Sequence, residues 1–313
     1  MTLRKIRLLA GVLGITLGVM GGVSISTVSG GTVPNGADPS GPGYWLLNAS
    51  GQSYAFNAAS LGSTNASCIN PTPRTTTESP WSCFGLSTAP GGRGFWLGDG
   101  PTSYNGFGSP IYRGTISSMG NTGSTVSGSP LTVGPVNSLI VGIASASQGA
   151  WLAGADGGVY ALGGAPFLGS MGATRLDQPV VGLAATPDGG GYWLVASDGG
   201  IFSFGDAQFY GSMGGQHLNE PIVGMASTPD GKGYWLVASD GGVFSFGDAQ
   251  FHGSAGSIRL NEPMVGMAAN PDGTGYWLVA SDGGVFAFGD APFLGSGVGQ
   301  GSSTPFVGIA SKG

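Results

Sequence analysis

Apolar side chains alternate between two faces along much of this chain. In one representative stretch, Tyr192, Leu194 and Ala196 fall on one side. Trp193 and Val195 fall on the other side of the same stretch. A period of two is typical of β-strands, because successive side chains of a strand point to opposite faces.

Turn signals divide these alternating stretches into short strands. Asp198-Gly199-Gly200 predicts a tight hairpin, because glycine adopts the positive φ that such a turn requires. A second turn, at Pro229-Asp230-Gly231, follows an apolar strand predicted over residues 222–228. With a further short strand predicted at residues 209–211, each unit is expected to contain four antiparallel strands.

The same unit recurs every 42 residues. The sequence Gly-Tyr-Trp-Leu-Val-Ala-Ser-Asp-Gly-Gly begins at Gly191, Gly233 and Gly275, and a degenerate copy begins at Gly149. Positions that the copies share are expected to be those that the fold requires.

Two weaker copies precede these four. They begin at Gly43 and Gly94 and carry 9 and 13 extra residues. The extra length falls in Ser/Thr/Pro/Gly-rich stretches at residues 64–80 and 116–138, which predict enlarged loops.

These patterns predict an all-β fold, a six-bladed β-propeller of four-stranded antiparallel blades over residues 43–313. Blades of 40–45 residues with four strands are typical of propellers. The first unit lacks its leading strand, and residues 305–310 form a strand without the rest of a unit. Pairing of the two would close the ring and remove both open sheet edges, whereas an open β-solenoid would not need complementary ends.

The repeat resembles one found in propeller domains of exported bacterial proteins. The resemblance is carried by Gly-Tyr-Trp-Leu-Val-Ala-Ser-Asp-Gly-Gly-Val-Phe-Ser-Phe-Gly-Asp-Ala at residues 233–249. It implies an accessory module beside cell-wall or carbohydrate-active domains, and no activity follows from the motif. Similarity to kelch and WD propellers is limited to general architecture. The repeated tryptophan lies at a different position from that of kelch repeats, and the Trp-Asp pair that is typical of WD repeats is absent.

The N-terminus predicts export. Arg4, Lys5 and Arg7 precede an apolar run over residues 8–23, which is the layout of a secretory signal peptide. Residues 1–30 are interpreted as a signal peptide or an uncleaved N-terminal anchor, which would be the only route to a membrane, and residues 31–42 as a linker. The protein is therefore expected to be secreted or held at the cell surface.

Composition and charge indicate that the chain folds and limit the classes of partner that it is expected to bind. Only 8% of residues are charged, while 41% are apolar and 64 are glycine, so the chain is expected to fold rather than remain disordered. Loss of the three basic residues within the first 23 changes the formal net charge from −6 to −9. A negative surface repels phosphate backbones, so nucleic acid is not an expected partner.

The two cysteines, Cys68 and Cys83, lie in the least regular part of the chain. In an oxidising compartment they predict one disulfide. No second cysteine or histidine lies near either, so a metal site is not predicted, and no motif indicates a cofactor.

Two repeated residue types admit a functional and a structural interpretation. The tryptophans could stack on sugars, but their position on an alternating apolar strand favours packing between blades. The aspartates of the Asp-Gly-Gly turns could form a ring of cation ligands, but aspartate is favoured in tight turns by hydrogen bonds to its own backbone. The structural interpretation is preferred for both.

No catalytic residues are assigned. The chain lacks a Gly-x-Ser-x-Gly elbow, and its two histidines, His217 and His252, occupy positions that sister units fill with other residues. They are interpreted as surface variation rather than as general bases. A pair of carboxylates acting on a glycan stays open as an alternative, and it would require two acids facing each other across the channel.

Binding specificity in a repeat protein is expected where the units differ. Such differences fall in three links between an outer strand and the next inner strand. The candidate binding residues are Arg175, Asp177, His217, Asn219, Glu220, Arg259, Asn261 and Glu262.

The leading functional hypothesis is a non-catalytic module that binds a polysaccharide or another cell-envelope component. The alternatives are a carboxylate-based glycan hydrolase or lyase, and a purely structural or adhesive repeat with protein partners.

Overall fold

The computed structural model confirms the all-β prediction. Every regular element in the part of the chain that it describes is a β-strand, and no helix forms there. The described residues are 23–24, 41–58, 82–88, 94–100, 102–104, 110–120 and 131–312.

The strands are short and follow one another closely. Those before residue 140 are β1 (Val23–Ser24), β2 (Gly43–Asn48), β3 (Ser53–Phe56), β4 (Ser82–Thr88), β5 (Gly94–Gly100), β6 (Thr102–Tyr104), β7 (Pro110–Gly120) and β8 (Leu131–Val136). Those of the regular units are β9 (Ile140–Ser145), β10 (Ala150–Gly154), β11 (Val159–Leu162), β12 (Val180–Ala185), β13 (Gly191–Ala196), β14 (Ile201–Gly205), β15 (Ile222–Ser227), β16 (Gly233–Ala238), β17 (Val243–Gly247), β18 (Met264–Ala269), β19 (Gly275–Ala280), β20 (Val285–Gly289) and β21 (Phe306–Lys312).

Each regular unit folds into an antiparallel sheet with its strands in chain order. In the unit of β12, β13 and β14, the central strand pairs with both neighbours, and all six of its residues are buried. A strand buried on both faces must be apolar or glycine throughout, as Gly-Tyr-Trp-Leu-Val-Ala is. The sheets of β9–β11, β15–β17 and β18–β20 repeat the arrangement.

The Asp-Gly-Gly segments form the predicted hairpin turns. The Asp198 carboxylate accepts a hydrogen bond of 2.9 Å from the Gly200 N–H, and Gly199 has a φ of +78°. The turns of the other regular units repeat this bond with Asp156, Asp240 and Asp282. The structural interpretation of these aspartates is confirmed.

Aromatic side chains join the regular sheets to one another and the last of them to the sheet of β2 and β3. Trp193 of one sheet lies 5.6 Å, between ring centroids, from Tyr234 of the following sheet. Both rings are fully buried, and tilted aromatic pairs at this spacing stabilise beyond the area they bury. The equivalent pairs are Trp151 with Tyr192, Trp235 with Tyr276, and Trp277 with Tyr44.

No strand forms at residues 209–211, where a fourth strand was predicted. The segment instead crosses to the next sheet, where the Tyr234 hydroxyl donates to the Gly211 carbonyl at 2.6 Å and accepts from the Tyr210 N–H at 3.2 Å. Trp193 Nε1 donates to the Gln208 carbonyl at 2.7 Å. Because side chains form hydrogen bonds with these backbone groups, the groups do not need to pair with the backbone of β14. The regular sheets therefore have three strands of their own.

The C-terminal strand pairs with the first long strand. β21 lies antiparallel to β2, with Trp45 opposite Ala310 and Leu46 opposite Ile309. This sheet then continues to β3, so residues far apart in sequence complete one three-stranded unit. The predicted pairing of residues 305–310 with the first unit is present.

The first strands of successive sheets contact one another in series. β9 contacts β12, which contacts β15, and the series continues through β18, β21 and β4 back to β9. Between β9 and β12 glycine allows a close approach, since a methyl group on Gly142 would lie 3.1 Å from the Leu183 backbone nitrogen and 3.2 Å from the Gly182 Cα.

The unit between residues 82 and 136 departs from the others. Its sheet has the order β4-β5-β7-β6, and β8 also pairs with β7. The prediction of an enlarged loop over residues 116–138 is wrong for much of that range, because β7 extends to Gly120 and β8 spans Leu131–Val136. Serine and threonine in strands leave the backbone free to pair, so a polar composition did not prevent sheet formation.

Some predictions fall on residues outside the described part. These are the predicted signal peptide or anchor at residues 1–30 apart from Val23 and Ser24, the predicted linker up to residue 40, the predicted loop at residues 64–80, and Cys68 with its predicted disulfide. Cys83 lies in β4, opposite Asp99 of β5.

The N-terminal segment contributes one described strand. β1 pairs antiparallel with the outer strand β20, which makes that sheet four-stranded. Among the described residues, none belongs to a helix with the length and apolar character needed to cross a bilayer.

Candidate functional site

Two surfaces are candidates for binding, and they lie at opposite ends of the central strands. The first, here the link face, consists of the links at residues 174–177, 216–220 and 258–262. The second is a cavity of about 540 Å³ at the other end of the same strands. In one unit, the link enters β12 at Val180, while the cavity begins at Leu183 and extends to Gly189.

All eight residues predicted to bind lie on the link face and are exposed. Within the described chain, no hydrogen bond or ion pair engages their side chains. The contacts that the units share are made instead by partly buried neighbours such as Leu176 and Leu218, which pack against the apolar cores between sheets. The links thus hold their polar side chains free on a rigid support, but they do not converge on a pocket.

The cavity was not predicted from the sequence. It is lined by the final residues of the six central strands and by the turn at Thr186, Pro187 and Asp188. Its volume lies within the range of small-molecule sites. Most of its lining residues are alanine, serine or glycine, so no motif marks it. The only signal is that Ser145, Ser227 and Ser311 share a repeat position that is alanine in the other regular units, at Ala185 and Ala269.

Five serines and one threonine contribute hydroxyl groups to the lining of the cavity. Ser87 and Ser145 lie with their hydroxyl oxygens 3.1 Å apart, and Ser87 Oγ also accepts from the Ser145 N–H at 3.0 Å. Ser227 donates to the Ala185 carbonyl of the neighbouring strand at 3.1 Å. These bonds tie adjacent central strands together, which gives the serines a structural role.

Asp188 is the one ionisable side chain among the described residues that line the cavity. Its carboxylate accepts hydrogen bonds from the Gly190 N–H and from Thr186 Oγ1, which lowers its pKa. Thr186 also lies 3.3 Å from an Asp206 carboxylate oxygen. The equivalent Asp230 accepts from the Lys232 N–H and from Thr228, and its pKa falls to about 2.

These carboxyls are unsuited to general acid catalysis. A general acid for glycoside hydrolysis needs a raised pKa, whereas the pKa values of Asp188 and Asp230 are lowered. Asp188 and Asp206 belong to one unit, so they do not face each other across the channel as the hydrolase alternative requires. No cluster of three or more potential metal ligands occurs among the described residues.

The two histidines lie in different environments and share no contact. His217 is exposed on the link face. His252 is only partly exposed, since its ring lies 5.6 Å from that of Tyr276 and 6.3 Å from that of Trp235. Its interpretation as surface variation is wrong, because its ring packs beside two buried aromatic rings and its Nε2 is buried.

The tryptophans of the regular units have the structural role that was preferred. Trp151, Trp193, Trp235 and Trp277 are each 0% exposed, so none offers a ring to a sugar. Among the described residues, the large exposed aromatic side chains are phenylalanines of the segments that cross from one regular sheet to the next. Phe167 is 62% exposed, Phe209 60% and Phe251 59%.

Comparison with known proteins yields similarity at the level of structure alone. No family model matches the chain. No curated protein matches it either.

One similar solved structure is that of Sqt1 from Chaetomium thermophilum, bound to the N-terminus of the ribosomal protein L10. The TM-score is 0.44 and the sequence identity 16%, over 71% of this chain. The match spans 64% of the length of Sqt1, just under two thirds. A superposition this loose assigns neither a function nor a partner to the present chain.

Proposed function

We propose that the chain is a six-bladed β-propeller closed by β21. The proposal is supported by the series of contacts that links six central strands and returns from β4 to β9. It is also supported by the contact between Trp277 and Tyr44, which repeats the pairing of the internal interfaces at a centroid distance of 5.2 Å. In the regular blades, the crossing segments take the place of fourth strands.

We infer that this propeller serves as a non-catalytic binding module. The inference is supported by the different locations of the residues that the units share and the residues that vary between units. Shared residues such as Tyr234 and Trp235 are buried, while the residues that differ between units are exposed on the link face. Binding residues commonly lie on loops held by a rigid scaffold, and variation between repeats is where specificity can reside.

The ligand that we propose is a polysaccharide or another component of the cell envelope. The link face offers planar polar groups, namely carboxylates, amides, guanidinium and imidazole, within short distances along each link. Such groups donate to and accept from hydroxyls in pairs, which suits a neutral polyhydroxylated chain. The predicted signal peptide and the negative net charge favour an exported module over one that binds nucleic acid.

Removal of the polar groups of two links is expected to weaken ligand retention. In a variant with His217, Asn219, Glu220, Arg259, Asn261 and Glu262 all replaced by alanine, we expect at least a tenfold loss, because each lost hydrogen bond contributes roughly 0.5–1.5 kcal/mol. The free energy of unfolding should change by no more than about 1 kcal/mol, since exposed and unpaired side chains contribute little to stability. Binding would be measured on a glycan array and on isolated cell walls.

The control variant carries Gln208→Ala and Gln250→Ala, two exposed positions outside the links. It should bind as the parent protein does. Equal retention by the link variant and its parent, or no retention by either, would refute the proposed ligand face.

A further inference from the structure

The outer edges of the regular sheets differ in whether a strand covers them. β20 is covered by β1, with Val23 opposite Phe288 and Ser24 opposite Ala287. β14 and β17 have nearly the same sequence as β20, yet no strand in the described chain pairs with their outer edges. We call these two edges the open edges.

Burial of the outer strand follows the presence of the added strand. Phe288 of the covered edge is 0% exposed, whereas the equivalent Phe204 and Phe246 of the open edges are partly exposed. The phenylalanine that follows each edge behaves similarly. Phe293, which follows the covered edge, is partly buried. Phe209 and Phe251, which follow the open edges, are 60% and 59% exposed.

The open edges also carry buried hydroxyl groups without partners. Ser203 of β14 and Ser245 of β17 have buried Oγ atoms that make no hydrogen bond within the described chain. They occupy the position of Ala287, which lies directly opposite Ser24 on the covered edge. Residues directly opposite in an antiparallel pair share a face, so a serine on an added strand could bond to either hydroxyl.

We propose that the open edges of β14 and β17 are acceptor sites for an extended peptide segment that adds an antiparallel strand. The favoured segment alternates apolar residues with serine or threonine, places a serine opposite Ser203 or Ser245, and sets an apolar residue opposite Phe204 or Phe246. Main-chain hydrogen bonds supply the affinity in this kind of recognition, and the alternate side chains supply specificity. The proposal is independent of ligand binding at the link face.

A synthetic peptide with the sequence of residues 21–28, Gly-Gly-Val-Ser-Ile-Ser-Thr-Val, is the probe for this proposal. Added to the full chain, it should protect the amides of residues 201–205 and 243–247 from hydrogen exchange. In a chain that retains residues 1–30, protection at residues 285–289 should not increase, because β1 already covers that edge. A control peptide with proline in place of the first serine should give no protection, because proline cannot donate to the ladder.

A double-mutant cycle tests the register. The Ser203→Ala and Ser245→Ala double variant should bind the probe roughly two- to fivefold more weakly, the range of a cross-strand side-chain pair. A second probe, with alanine in place of the first serine, should bind the double variant and the parent protein with equal affinity. Absence of saturable binding, equal binding of the proline peptide, or protection that falls outside the two open edges would each overturn the proposal.

Discussion

Deletion of residues 305–313 is expected to abolish cooperative folding or to lower the free energy of unfolding by about 5 kcal/mol or more. β2 would lose its inner partner, and Leu46 and Leu47, now 0% exposed, would be uncovered. Phe306 and Ile309 would no longer be buried, and each such side chain contributes about 1.5–3 kcal/mol. A loss of this size is comparable to the whole stability of many domains.

The deletion can be measured by denaturant unfolding followed through tryptophan fluorescence. A peptide of residues 305–313 added in trans should restore part of the transition, while a peptide of the same composition in scrambled order should not. An unchanged midpoint and slope for the truncated chain would contradict the assignment of β21 as part of the first sheet.

The second large effect is expected from Trp235→Ala, which should destabilise the protein by about 3–5 kcal/mol. The ring is 0% exposed and packs against Tyr276, and its Nε1 donates to the Gln250 carbonyl at 2.7 Å. Its removal would leave a cavity between two sheets and an unpaired carbonyl. Thermal and chemical unfolding measure the effect.

Phe251→Ala in the same unit is the matched control, since that ring is 59% exposed. Its effect on stability should stay within about 1 kcal/mol. If Trp235→Ala were instead neutral for stability and abolished sugar binding, the tryptophans would be ligand platforms and their structural role would be wrong.

The sequence predicted those elements whose physical requirements are local. The Asp-Gly-Gly turns were predictable because glycine φ and the aspartate bond are set within three residues. The burial of the tryptophans was predictable because Trp recurs at the same position of the central strand in all four regular units, followed each time by Leu. Exposure of the link residues followed from their variation between units.

The features that the sequence did not predict depend on contacts between units. The segment at residues 209–211 has the composition of a strand, but Tyr234 of the next sheet binds its backbone, and that hydrogen bond leaves no sequence signal. The cavity arises where six strand ends meet, and small residues such as Ala185 and Ser227 give no pattern there. The strands β7 and β8 lie in Ser/Thr/Gly-rich sequence, where composition is a poor guide to backbone pairing.

The distance between the two ends of the repeat array tests the closed ring most directly. Spin labels on Gln52→Cys and Ser303→Cys, both exposed, would be measured in a chain whose Cys68 and Cys83 are replaced by serine. Asn48 Nδ2 lies 2.9 Å from Ser302 Oγ, so a closed ring predicts a single distance near the shortest that two label linkers allow. An open row of six sheets, at about 10 Å per sheet, would separate the labels by about 50 Å, and that result would contradict the propeller.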